Sequence, residues 1–296
     1  LKTCAECILC LLTRDLAAVP ASVKAEEKAL YQREVLRMLA ESDPALCTSQ
    51  LGARMDDIYR QHFGERKTKD FDKLKRLYNE RMLALEVRLR EEIAQASDPL
   101  ANAIRLARAG NYIDFGAKHE VDDTLLDNLI RDAQCDTLDA LEYDHFQKDL
   151  SMAKNMVYVS DNAGEIVLDK LLIEGIQAQY PQAKLTLLVR GAPTLNDATV
   201  EDAQTVGLTS LLPVIGNGSA LPGTVWEEIS MEARKLLQNA DVILAKGQAN
   251  FETLSGCGLN IYYVLLCKCD YFVRRFQVPR LTGMFVNEFR LPPMDP

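Results

Sequence analysis

Tryptophan occurs once in these 296 residues and histidine three times. A site of clustered imidazoles therefore has little to draw on. Long apolar runs are also missing. Ile8 to Leu12, the most apolar stretch near the start, is far short of the roughly 18 residues that a membrane-spanning helix needs, and it has no secretory-leader architecture. Basic residues are in deficit: 34 Lys and Arg against 43 Asp and Glu give a formal net charge of −9, with no basic run that marks a nucleic-acid footprint. No GxGxxG follows Ser160, and GxxxxGK[ST], GxSxG and HExxH are absent, which argues against dinucleotide, P-loop, hydrolase-elbow and zincin chemistry. The chain reads as a soluble, cytoplasmic protein with no nucleic-acid or membrane partner and no obligate protein partner.

Eight cysteines are few for this length. Their grouping as Cys4, Cys7 and Cys10, and as Cys267 and Cys269, is unlike a secreted disulfide framework. Metal binding, redox chemistry or simple packing of thiols on a helix all fit the first group. On a helix Cys4 and Cys7 share a face and Cys10 drifts round it.

What is present is an ordinary globular composition, 48% hydrophobic and 26% charged, in a chain longer than one compact core usually requires. Residues 1–154 have helical periodicity. From Asp70 to Gln95 the residues Phe71, Leu74, Tyr78, Leu85, Leu89 and Ile93 mark one face at spacings built from threes and fours. Val23 to Leu39, Pro99 to Arg108 and Leu138 to Met152 repeat that pattern, and Val121 to Asp132 is a shorter, more acidic version. After Lys154 short apolar runs alternate with helical segments. Strands are expected at Met156–Ser160, Lys184–Arg190, Ser210–Ile215, Asp241–Ala245 and Tyr262–Cys267, with helices at Ile166–Tyr180, Ala198–Thr205 and Thr224–Asn239. The fold class is α/β: a helical domain over 1–154, then an α/β domain over 155–296 with a doubly wound, mostly parallel sheet.

Ligands of such sheets bind outside the carboxyl ends of the strands. The residues there include Asp161, Asn162 and Asp197, whose oxygens make a hard-cation site with room for water and phosphate. Taken singly, each aspartate also suits a helix N-cap. A bound cation would offset the acidic field of the chain for an anionic substrate. Lys246 beside Gly247 can approach a phosphate, or can be a solvated lysine in a turn, and Arg190 carries the same two readings.

Five segments together resemble one family. They are Cys4-x-x-Cys7, Gly110 to Phe115, Asp161 to Glu165, Arg190 to Thr199 and Lys246 to Glu252. In this order they are similar to the damage-control phosphatases, in particular the mainly microbial branch that carries Cys-x-x-Cys. The resemblance implies a helical region joined to a Rossmann-like α/β region, and removal of phosphate from small metabolites with a divalent cation (Mg, Mn, Co or Ni). By resemblance Asp161, Asn162 and Asp197 are the metal ligands, the Lys246 loop with Gly247 contacts phosphate, and Asn111 and Asp114 join the pocket from the helical side. Glu165 or Asp161 serves as base or nucleophile, and Arg190, Gln248 and Asn250 supply polar contacts to a substrate such as a sugar phosphate. A protein carboxyl methyltransferase and a non-catalytic metabolite-binding module are the alternatives.

Overall fold

The structure, a computed structural model, describes residues 3–66, 70–112, 128, 130–132 and 136–291. Two compact units are present, Leu1–Lys69 and Asp70–Pro296.

The first unit holds α1 (Ala5–Ala17), α2 (Ala25–Glu41) and α3 (Thr48–Phe63). Tyr31 and Val35, one turn apart on α2, are buried with Met55, Ile58 and Tyr59 of α3, the spacing by which a helix presents one apolar face. Arg66 lies over the Tyr59 ring and pairs with Asp15 and Asp56. Cys4 is the N-cap of α1, and its Sγ is 3.2 Å from that of Cys7. Cys10 is exposed, so the three thiols diverge as their spacing predicts.

The second unit is built on six strands, β1 (Asn155–Val159), β2 (Lys184–Val189), β3 (Val214–Gly216), β4 (Val242–Lys246), β5 (Ile261–Leu266) and β6 (Gly283–Asn287), in the order β3-β2-β1-β4-β5-β6. The first five are parallel, with Val157 opposite Thr186 and Ile243. β6 runs antiparallel to β5. Helices α4 (Phe71–Gln95), α5 (Pro99–Ala109) and α6 (Ala140–Met152) precede the sheet, and α7 (Glu165–Gln179), α8 (Val200–Thr205), α9 (Met231–Gln238), α10 (Gln248–Leu254) and α11 (Asp270–Phe276) follow its strands in turn. Aspartates start the first three. Asp70, Asp98 and Asp139 accept from the backbone N–H three residues on, at 3.0 Å each, caps that contribute about 1 kcal/mol apiece.

The alternation of strand side chains places helices on both faces. Met156, Tyr158, Leu185, Leu187, Leu244 and Val264 share a core with Ile104 of α5, Phe146 of α6 and Leu172 of α7. On the opposite face Tyr263 meets Phe251 of α10, ring centroids 4.7 Å apart, and Phe251 meets Phe272 of α11. The doubly wound, mostly parallel α/β fold expected from the sequence is therefore present.

Several details differ from expectation. The third strand is Val214–Gly216 rather than Ser210–Ile215, because residues 208–210 form a 3-10 turn after the left-handed Gly207. The helix expected from Thr224 starts only at Met231, capped by Ser230. β6 falls in a segment where no strand was expected, since an edge strand leaves a weak apolar signal. The change of pattern at Lys154 marks where the sheet starts, whereas the compact units divide at 69/70: α4 and α5 bury Met82, Leu89 and Ile104 in the same core as the strands. The segment 121–132 lies largely outside the described residues.

Candidate active site at the strand switch point

β1 pairs with β2 on one side and β4 on the other, so chain progression across the sheet reverses at β1, the position where open α/β sheets leave a crevice for ligands. The residues immediately after these strands enter it. After β1, Asp161 and Asn162 precede Gly164, whose φ of +77° is open to glycine and turns the chain into α7. After β2, the loop from Arg190 turns at Leu195, which holds φ +49°, and returns Asp197 to an isolated bridge with Asn162. Ala163 N–H donates to the Asn196 carbonyl and Ala198 N–H to that of Asp161, each at 2.8 Å.

The side chains form one connected cluster. Asn162 Nδ2 donates to Asp161 Oδ2 at 2.9 Å and to Glu165 Oε2 at 3.3 Å. Asn111, from the turn after α5, places its own Nδ2 3.0 Å from Asp161 Oδ2 and 3.4 Å from Glu165 Oε2. Close contact at two glycines makes this possible. A Cβ on Gly110 would meet the Glu165 side chain, and one on Gly247 would fall inside the Asp161 carboxylate.

Electrostatically the cluster is strained by its own acids. Burial, and then the carboxylates of Glu165 and Asp197, push Asp161 well above the usual carboxylate range, with the charges of Lys268 and Arg190 acting the other way. Asp197 is also raised by burial, although Arg190 Nε donates to its Oδ2 at 2.7 Å. Asn111 Oδ1 is buried and has no hydrogen-bond donor among the described residues. An orphaned carbonyl oxygen beside carboxylates that resist ionisation is a donor set a hard cation would satisfy, so the residues present fit a divalent metal. Among the described residues no three His, Cys, Asp or Glu side chains form a metal-holding group. The expected set has only two such residues, its third member being the carboxamide of Asn162.

Other expected site residues have different surroundings. Lys246 is enclosed, its Nζ 2.5 Å from Glu165 Oε1 and 2.7 Å from Asp169 Oδ1, with all three side chains fully buried. Burial opposes its charge, but Asp169 and Glu165 outweigh that and hold the ammonium above the usual lysine range. Asp169, which also accepts from Tyr158, is pushed up by burial to about 6, against the pull of Lys246. Asn250 is taken up by scaffolding: Nδ2 donates to the Ser160 and Lys246 carbonyls, and Oδ1 accepts from Thr224. It ties the ends of β1 and β4 together. Gln248 is half-buried and donates to Glu252, while Asp114 lies outside the described residues.

Sequence reasoning missed Asp169, Asn79 and Lys268. Asp169 sits one helical turn beyond Glu165, an interior acid in an otherwise apolar helix face, which was a readable signal. Lys268 follows β5, half-buried, with its N–H 3.4 Å from Gln248 Oε1. A groove of about 970 Å³ at the opposite ends of β1 and β2 has Lys184 as the single ionisable group of its lining and lies away from this cluster.

The model of the damage-control phosphatase ARMT1-like domain matches residues 1–282. The chain belongs to that family. It is 36% identical over 200 residues to a damage-control phosphatase of Pyrococcus horikoshii, covering 64% of this chain and 66% of the relative. With a damage-control phosphatase of Archaeoglobus fulgidus the identity is 37% over 193 residues, covering 63% and 65%. The chain thus spans a little under two thirds of these relatives' own length in the aligned regions. The crystal structure of a DUF89 family protein from P. horikoshii superposes with a TM-score of 0.76 at 26% identity, covering 97% of this chain and 99% of that one. No helix among the described residues is long and apolar enough to cross a membrane.

Proposed function

We propose that this family member is a phosphatase, dependent on a divalent cation, that hydrolyses small phosphometabolites such as sugar phosphates in the crevice after β1, β2 and β4. The observation that carries this reading is the buried acidic cluster of Asp161, Glu165 and Asp197 with Asn111 Oδ1 beside it, an oxygen that has no donor among the described residues. Asp161, Asn162 and Asp197 would hold the cation, which when bound supplies charge neutralisation to a phosphoryl oxygen. Asn111 and Asn162 each donate to both Asp161 and Glu165 and so fix which carboxylate lone pairs face the crevice. Lys246 balances the charge of Glu165 and Asp169 from behind. With Lys246 enclosed and Arg190 held by Asp197, we assign the cationic contact to the substrate phosphate to Lys268, whose charge reaches Asp161. An acidic chain with a crevice rich in carboxamides suits a small polar phosphoester better than a polyanion.

The test is phosphate release from a panel of sugar phosphates with and without Mn²⁺, Co²⁺, Ni²⁺ or Mg²⁺. Wild type should release phosphate only with a cation, Asp161→Ala and Asp197→Ala should lose about 100-fold or more of kcat, and Lys268→Ala should raise KM above all. Release independent of any cation, or methyl transfer without phosphate release, refutes the proposal.

A further inference from the structure

Two loops carry the groups assigned to the cation, Asp161 and Asn162 after β1 and Asp197 after β2. A cation site works only if their separation is held. Behind them α4 turns two polar side chains inward, Lys75 and Asn79, both nearly fully buried. The Asn79 carboxamide is used at both ends: Oδ1 accepts the Gly164 N–H at 2.6 Å and Nδ2 donates to Asp202 Oδ1 at 3.0 Å. Gly164 is the residue between the Asn162 turn and Glu165. Asp202, in the first turn of α8, is tied to the other loop, because its Oδ2 accepts both the backbone N–H and the hydroxyl of Thr199 at 2.8 Å, two residues past Asp197. Lys75 Nζ, 2.6 Å from Asp202 Oδ2, neutralises that buried carboxylate. One carboxamide, acceptor toward the first loop and donor toward the second, therefore bridges the two halves of the site from underneath.

We propose that Asn79, supported by Lys75 and Asp202, is a positioning residue that sets the spacing of Asp161 and Asn162 relative to Asp197, and through it the affinity for the cation. This rests on the assignment of those three residues to the cation. Partners of this kind that orient ligands usually change metal affinity by about 10–100-fold when removed. The donor and acceptor roles also make a reciprocal exchange possible. In Asn79→Asp with Asp202→Asn, one carboxylate oxygen at position 79 accepts the Gly164 N–H and the other accepts the new amide of position 202, whose carbonyl oxygen still accepts from Thr199 and Lys75. Charge and bond number are conserved.

The experiment titrates Mn²⁺ calorimetrically into the metal-free wild type, Asn79→Ala, Asn79→Asp and the exchanged pair, with far-UV circular dichroism to establish folding. Asn79→Ala and Asn79→Asp should bind Mn²⁺ at least about 10-fold more weakly, and the pair should return to within a few-fold of wild type. Wild-type affinity in Asn79→Ala overturns the inference. So does a pair no better than the single variants, which decides the matter even where Asn79→Ala fails to fold. A wild type that does not bind Mn²⁺ refutes the cation site itself, and the clamp with it.

Discussion

Lys246→Met isolates the electrostatics of the buried network. The substitution keeps most of the aliphatic stem and removes the ammonium, leaving Glu165 and Asp169 without exposure and without a counter-charge. Breaking a buried ion pair by removing one partner costs about 3–5 kcal/mol, a large part of the roughly 5–15 kcal/mol that holds a domain folded. The melting temperature should fall by roughly 6–20 °C. The loss should depend on pH. Asp169 in the folded protein titrates at about 6 against an ordinary 3.8, so it binds its proton more readily folded than unfolded, and its contribution to stability is lost as pH rises from about 4 through 6. Without Lys246 the folded value rises further, and the penalty for the ionised carboxylate extends to higher pH. The stability gap between variant and wild type should thus be widest near pH 8 and less than half as large at pH 5. Adding Asp169→Asn should recover part of the loss. Urea unfolding followed by circular dichroism at both pH values measures the gap; a gap below about 1 kcal/mol, or one equal at the two pH values, refutes the charge-balance argument.

Two further perturbations probe other parts of the molecule. Gly247→Ala places a methyl group inside the Asp161 carboxylate at a residue with φ +81°, so Mn²⁺ binding and turnover should both collapse, with about 1–3 kcal/mol of added strain; turnover equal to wild type would show that the loop moves freely away from Asp161. Cys4→Ser with Cys7→Ser alters the start of α1 in the first unit, and turnover should persist at lower melting temperature, whereas loss of turnover in a folded protein would make the thiols part of the chemistry.

The sequence by itself determined the class of fold and where its crevice residues fall along the chain. Period-2 and period-3.6 patterns are local, and each central strand was legible because a strand buried on both faces must be apolar throughout, as in Val242 to Ala245. The polar stretches after those strands stood out for the same reason. Asp161, Asn162 and Glu165 do converge, and Asn111 reaches them from the turn after α5. What the tertiary structure alone decided is which charges meet. Lys246 closes a strand and precedes a glycine, a setting equally suited to a phosphate contact or a buried ion pair; only the packing of α7 against β4 puts Glu165 and Asp169 on its ammonium. Asn79 has nothing in its surroundings along the chain to distinguish it from a solvated helix residue, and its partners Gly164 and Asp202 lie 85 and 123 positions away. Periodicity records which residues avoid water, but hydrogen bonds and ion pairs between distant segments depend on distances that only the folded chain sets.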